Sequence, residues 1–579
     1  MAVTLKVYVN EDDALLFWSI PAPIAGCRGF AIERRLTAAS GESKQGYLSN
    51  RIGFEHEDAP AEKAQGQPAV TQPSTQWPFQ AFSWTDHEAD TGDTVAYRVV
   101  PVIRNAQGQL ETAEAEASAW SEAKTLGNVE HGAYQGFFNR GFVISQFVSR
   151  YLQEHNMTLE QFKQTISDEH DQTIRGFLAG DLKRALLKEL QTARDEGTEV
   201  YISMFELGDE EILEAVCALG GKAHLVLANG AVSTKTGEHV DVARTRDENA
   251  AARSTLLASS VNVGKDSRFI APGALGHNKF MIRMDKTGQP AAVWTGSTNW
   301  ASTGLCTQVN NGLLITDPDV AQVYLDQWKR LYEAGSDFPD SLLEANSQPK
   351  HVGIDAPGNV RSTIWFTRTK KGADLEALTA AVQGAKSGIL FLMFMPGLKG
   401  VLSLVSQRAA EPGMYVRGVV SELPSGYADQ SKANVNLISG QKTSSTTFDI
   451  IEPEGIKHSM AHFAAEVTHN QFLSQIGHAI IHSKVLVIDP FSDDPTVITG
   501  SHNFSGTASS KNDENFIIVK GDKKLAEAYA VNINGVYEHY RWRAFLGTTD
   551  NPFNGLQDSD AWQAPKLASD ETELRFWGV

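Results

Sequence analysis

The sequence predicts an α/β protein: two α/β repeats with mostly parallel sheets packed around one active site, preceded by an all-β sandwich. Three observations predict it. Residues 1 to about 120 carry short alternating apolar runs separated by turn formers. Beyond about residue 130, helix-spaced and strand-like runs alternate. That order then recurs about 200 residues later.

In the first region Leu5–Val9, Phe30–Arg34 and Val95–Ile103 alternate, and Ala14–Ile20 is an apolar strand ending at Pro21. Trp18 and Trp84 read as sandwich core. In the second region Asp181–Ala193 is helical, Glu199–Phe205 a buried strand, Asp209–Leu219 a helix and Ala223–Ala228 a strand. Acids sit in the first turn of the Asp209 helix, where its dipole favours them. The later copy runs Asp374–Val382, Ile389–Met395, Leu398–Arg408 and Tyr415–Val420. Ser425–Thr447 reads as an inserted loop. The expected boundaries are 1–122, 130–345 and 350–560, with a tail at 561–579.

The net charge of −19 argues against a broad electrostatic grip on nucleic acid or an anionic membrane, though not against a local basic groove. Three scattered cysteines form no disulfide framework, so a reducing compartment is the default expectation. No signal peptide is visible, and the strongest apolar run, Ile389–Met395, is too short to span a bilayer. The expectation is a soluble, cytoplasmic protein, with export lacking a cleaved signal left open.

The chemistry concentrates in a repeated motif. The first copy has His277-Asn278-Lys279 and then Gly296-Ser297-Thr298-Asn299; the second has His482-Ser483-Lys484 and then Gly500-Ser501-His502-Asn503. The His-to-Asn spacings are 22 and 21 residues. His and Lys two apart on a strand share a face. A glycine turn can then bring amide donors beside them. Two lysines and two amides suit a phosphate, and two histidines suit a nucleophile and a general acid.

These residues resemble the phospholipase D superfamily, whose signature is HxKxxxxD twice, each followed by GSxN. The all-β region, with Trp18, the FAIER strand and Tyr97, resembles a fibronectin type III module. The superfamily resemblance covers residues 130–545. It implies a metal-independent phosphodiesterase without a cofactor, in which one histidine forms a phosphohistidine and the other protonates the leaving alkoxide. It implies catalytic roles for His277, Lys279, His482, Lys484 and Glu514, and phosphate contacts from Asn299, Asn503, Ser297 and Ser501. Asp489 and Asp285 match the motif's acid, the latter one residue out of register. The family places a carboxylate after GSxN to orient the histidine. Glu514 fits that place in the second copy and neutral Asn311 in the first, so His482 is expected beside Glu514 as general acid and His277 beside Asn311 as nucleophile.

Both motifs lie in one chain, so a monomer is expected. Phospholipid is the favoured substrate. A nuclease or DNA-end phosphodiesterase, and an inactive phosphate-ligand binding protein, are the alternatives. A lipid enzyme should expose apolar loops such as Phe394–Leu398. His458, His462, His469 and His478 could suggest zinc, but no second acidic or thiol cluster supports it, and they read as loop histidines.

Overall fold

The computed structural model describes residues 3–55, 71–127, 132–141, 172–264, 268–397, 400–421, 436–438, 448–451, 480–546 and 555–579. The four histidines at 458–478 and most of the expected inserted loop lie outside the described residues.

The N-terminal region consists of antiparallel strands β1 (Thr4–Val9), β2 (Ala14–Ser19), β3 (Cys27–Thr37), β4 (Ser43–Tyr47), β5 (Ser83–Asp86), β6 (Thr94–Arg104), β7 (Leu110–Thr112) and β8 (Lys124–Thr125). They form one sheet ordered β1-β2-β5 and another ordered β8-β6-β3-β4, with β7 also on β6. Trp18, Phe30 and Tyr97 are buried between them. The Tyr97 hydroxyl donates to Asp86 Oδ2 at 2.7 Å, so the buried phenol is satisfied. Trp84 is a correction: it is 36% exposed, with its ring against Phe79 at the edge of the sandwich. Kinship with fibronectin modules rests on the sequence resemblance alone.

The first repeat contains β9 (Tyr134–Phe138), α1 (Gln172–Glu196), β10 (Val200–Met204), α2 (Glu210–Cys217), β11 (Ala223–Leu227), β12 (Asn262–Val263), β13 (Lys279–Met284), β14 (Pro290–Gly296), β15 (Asn311–Ile315) and α3 (Pro318–Ala334). Its sheet order is β9-β15-β14-β13-β10-β11-β12. The second repeat contains β16 (Arg361–Phe366), α4 (Ala373–Gln383), β17 (Gly388–Met393), α5 (Val401–Ala409), β18 (Tyr415–Val420), β19 (Val485–Ile488), β20 (Thr496–Gly500) and β21 (Asn515–Lys520). The order β16-β21-β20-β19-β17-β18 reproduces the first sheet, and further strands flank it on both sides.

The strand direction corrects the expectation of mostly parallel sheets. Parallel pairing is confined to one side, β10-β11-β12 in the first repeat and β17-β18 with the strands beyond it in the second. The motif-bearing strands are antiparallel: β13-β14-β15 and β19-β20-β21. The cause is connection length. Crossover helices α2 and α5 join the parallel pairs, whereas short loops join β13 to β14 and β19 to β20.

The segment 561–579 is likewise no loose tail. It holds helix α7 (Gln563–Phe576), flanked by buried Trp562 and Trp577. Trp577 stacks on Phe17 at 4.6 Å, and Trp562 Nε1 donates to Cys27 O at 3.2 Å. Tyr415 of the second repeat donates to Glu573 Oε1 at 2.7 Å. Helix α6 (Lys523–Leu546) packs on β1, β9, β17 and β18, so sandwich and repeats share one core.

Candidate active site

The two motifs are built alike. His277 lies two residues before β13, and Asn299 just past the end of β14; His482 lies three residues before β19, and Asn503 just past the end of β20. Each Gly-Ser turn is locked to the neighbouring strand. Ser297 N donates to Asn311 O at 3.0 Å and Asn311 N to Ser297 Oγ at 3.0 Å. Ser501 N donates to Asn515 O at 2.9 Å and Asn515 N to Ser501 Oγ at 3.0 Å. A Cβ at Gly296 would stand 2.4 Å from Asn311 O, and one at Gly500 2.3 Å from Asn515 O, so both turns need glycine.

The repeats face each other through buried polar contacts. Thr295 Oγ1 donates to Asn515 Oδ1 at 2.8 Å, and Asn311 Nδ2 to Thr499 Oγ1 at 2.7 Å. His277 and His482 are both buried. Phe205 sets its ring edge-to-face with His277 at 4.8 Å, and Phe394 does so with His482 at 4.9 Å. The Lys279 ammonium lies 4.9 Å from the Phe205 ring centre and donates to His277 O at 3.0 Å. Lys484 lies 4.8 Å from that of Phe394 and donates to His482 O at 2.6 Å.

The histidine partners overturn the expected pairing. His277 Nδ1 lies 2.7 Å from Glu514 Oε2, contributed by the opposite repeat. His482 Nδ1 lies 2.9 Å from Asn310 Oδ1. Each histidine is thus oriented by the other repeat, and the neutral partner is Asn310, not Asn311. Asn310 Nδ2 is committed to Gly304 O at 2.8 Å and Gln308 Oε1 at 3.4 Å, so its oxygen faces His482 as an acceptor. Both rings therefore donate from Nδ1 and keep Nε2, on the far edge, for chemistry.

Burial pushes the His277 pKa below the usual histidine value. Glu514 opposes that shift, while Lys279 and Lys484 add to it. Burial alone would raise Glu514, but the charge and hydrogen bond of His277, with Lys279 and His502 nearby, hold it below the usual carboxylate value. An ionised Glu514 beside a neutral His277 is a state ready for nucleophilic attack.

The remaining expected residues divide. Asn299 lies at the site and donates to Glu206 Oε2 at 2.8 Å, while its buried Oδ1 has no hydrogen-bond partner; the buried Oδ1 of Asn503 has none either. The Ser297 hydroxyl donates to Asn310 Oδ1 at 2.7 Å, and both serine hydroxyls accept from the neighbouring strand, so their first task is to shape the turn. Asn311 anchors Thr499 and the Tyr529 hydroxyl rather than a histidine. The two motif acids lie in turns at the far ends of their strands. Asp285 accepts from Thr287 and Gln289, and Asp489 from the backbone of Lys386, Ser387 and Gly388. Phe394, expected on an exposed lipid-facing loop, is buried against His482, and its neighbour Met395 is exposed.

Sequence reasoning missed Asn310, Glu206, Phe205 and Asn512. One signal could have found Asn310: it stands 13 residues after Ser297, as Glu514 stands 13 after Ser501.

Among the described residues, no group of three or more His, Cys, Asp or Glu side chains could hold a metal ion, and no helix is long and apolar enough to cross a membrane.

The family model described as cardiolipin synthase, PLD-like domain, matches residues 186–332 and 382–536. A phospholipase D of Rickettsia prowazekii (strain Madrid E) is 47% identical over 53 residues, which are 9% of this chain and 23% of that protein. The match therefore spans about a quarter of that relative. Similar solved structures include a phosphatidylserine synthase of Haemophilus influenzae Rd KW20, at TM-score 0.41 and 9% identity over 69% of this chain and 94% of that one. Nuc of Salmonella typhimurium, a phospholipase D family member, gives TM-score 0.23 and 17% identity over 31% of this chain and 96% of that one. The two matched regions make up more than half of the chain, and each carries one complete His, Lys, Gly-Ser and Asn set. The chain belongs to the phospholipase D-like family.

Proposed function

We propose that the chain is a metal-independent phosphodiesterase that works through a phosphohistidine on His277. The observation that carries this reading is the crossed pairing of the histidines, a carboxylate on His277 and an amide on His482; it reverses the expected rationale, because the carboxylate now offsets the charge a nucleophile gains on attack instead of holding a proton on the general acid.

In the first step the Nε2 lone pair of His277 forms a bond to phosphorus. The P–O bond to the leaving group breaks, and its electron pair stays on oxygen. That oxygen takes the proton from Nε2 of His482. Ionised Glu514 keeps the His277 proton on Nδ1 and offsets the positive charge the ring acquires. In the second step water or an alcohol gives a proton to His482 and attacks phosphorus, and the N–P pair returns to His277. Asn310 brings no formal charge to hold the imidazolium, which suits a residue that both gives and takes the proton. Lys279, Lys484, Asn299 and Asn503 stabilise the nonbridging oxygens, and buried ammonium groups gain from an anion between them. Ser297 and Ser501 hold the turns that aim those amides.

The favoured substrate is a phospholipid headgroup diester, by hydrolysis or transfer. The family description naming cardiolipin synthase and the relative named phospholipase D support this, and the net charge of −19 weighs against nucleic acid. Purified protein in EDTA should release choline or ethanolamine from phosphatidylcholine or phosphatidylethanolamine vesicles and leave single- and double-stranded DNA intact. Cut DNA with silent vesicles would overturn the lipid reading. Activity lost on chelation would overturn the metal-free mechanism.

A further inference from the structure

We propose that Asn512 is a positioning residue for the nucleophile, the outer member of an Asn512–Glu514–His277 relay; this rests on the phosphohistidine reading above. Glu514 accepts from both sides: His277 Nδ1 at Oε2, 2.7 Å, and Asn512 Nδ2 at Oε1, 3.1 Å. The other end of the same amide grips the opposite repeat, where Leu275 N donates to Asn512 Oδ1 at 3.1 Å. Those two contacts fix the amide's orientation, because a flipped side chain would set donor against donor and acceptor against acceptor. Asn512 therefore holds both the carboxylate and the loop that leads, two residues on, into His277.

The backbone around it is fixed as well. Thr367 Oγ1 donates to Asn512 O at 2.7 Å and accepts from Glu514 N at 2.8 Å, and Thr367 N donates to Glu514 O at 3.0 Å. Asp513 N donates to Leu275 O at 2.8 Å, and the Asp513 carboxylate pairs with buried Arg268 at 2.8 Å. Asn512, Asp513, Glu514, Thr367 and Arg268 are buried, so a fault in the relay is not repaired by solvent.

The other half of the site has the same parts with the amide reversed. Gln308 takes the place of Asn512, and its Oε1 accepts from Asn310 Nδ2 at 3.4 Å. Only Asn512 donates inward, to a carboxylate, and a donor at a carboxylate favours the ionised form. The relay thus serves the histidine that must stay neutral at Nε2 and bear charge after attack.

The test is a double-mutant cycle on the full chain with bis(p-nitrophenyl) phosphate. Its good leaving group isolates attack by His277 from proton donation by His482. Asn512→Ala should slow single-turnover release of p-nitrophenolate by about 10- to 100-fold, the range for a hydrogen bond to a charged group, with KM unchanged. On a Glu514→Gln background the same change should cost less than about threefold, because the partner is gone. Equal losses on both backgrounds, or no loss in the single variant, would overturn the proposal. If Asn512→Ala does not fold, isosteric Asn512→Asp serves. Its carboxyl can donate to Glu514 only when protonated, so its rate should rise towards acid pH, opposite to the parent; a parallel profile would overturn the relay. If Glu514→Gln itself leaves release unchanged, the phosphohistidine reading fails and the relay with it.

Discussion

The two halves of the site share a backbone and differ in one partner. The turns, the lysine contacts and the phenylalanine walls correspond within a few tenths of an ångström. Yet His277 is held by a carboxylate and His482 by an amide. A duplicated fold supplies two equivalent imidazoles, and their partners, a glutamate on one and an asparagine on the other, make them unlike. The partners also cross between repeats, so neither half is a complete site.

The largest way to break this comparison is to remove one histidine at a time. His277→Asn should abolish turnover and adduct together. His482→Asn should cost about 10²–10⁴-fold in turnover of a phospholipid, whose alkoxide needs a proton, while the burst with p-nitrophenyl diester persists. A burst lost in both variants would erase the proposed asymmetry.

Exchanging partners comes next. Glu514→Gln should slow adduct formation while its acid limb moves to lower pH. The sign follows from the local charges: Glu514 favours protonated His277, whereas burial and the two lysines disfavour it. Without the carboxylate, His277 loses its proton at a lower pH still. In the parent the acid limb should lie below the usual histidine value of 6.5, because burial depresses the group. A limb above that value would show a His277 that binds protons more tightly than the structure implies.

The smallest effects should come from the motif acids. Asp489→Ala removes a carboxylate that accepts from three backbone amides and the Ser387 hydroxyl, and should cost about 3 kcal/mol of stability in a denaturation melt. Its p-nitrophenolate burst per folded molecule should stay at the parent level. Asp285→Asn, at an exposed turn, should leave both readouts unchanged. A selective loss of burst in either would place the acids in the chemistry.

Much of this was legible in the sequence. Within each motif the lysine stays beside its histidine, donating to that residue's carbonyl, because the motif spacing is a local property. The α/β repeats were legible for the same reason. Strand direction was less so, since buried strands read as apolar runs in parallel and antiparallel sheets alike. The histidine partners were misread for a different reason: they come from opposite repeats, which no local pattern shows, and the expected place in the first copy was set one residue late, at Asn311. Counted from either the serine or the asparagine of the motif, Asn310 aligns with Glu514 and Asn311 with Asn515, which is how the hydrogen bonds fall. The C-terminal helix was missed because its anchors, Trp562 and Trp577, bury against distant strands and show no local signal of docking.

The most direct test of the central claim is to trap the covalent phosphate. His482→Asn protein should be mixed with phosphatidylcholine vesicles in EDTA, quenched at alkaline pH, where a phosphoramidate survives, and mapped by peptide mass spectrometry. The phosphatidyl adduct should sit on His277. An adduct on any other residue, or none while choline is still released, would contradict that claim.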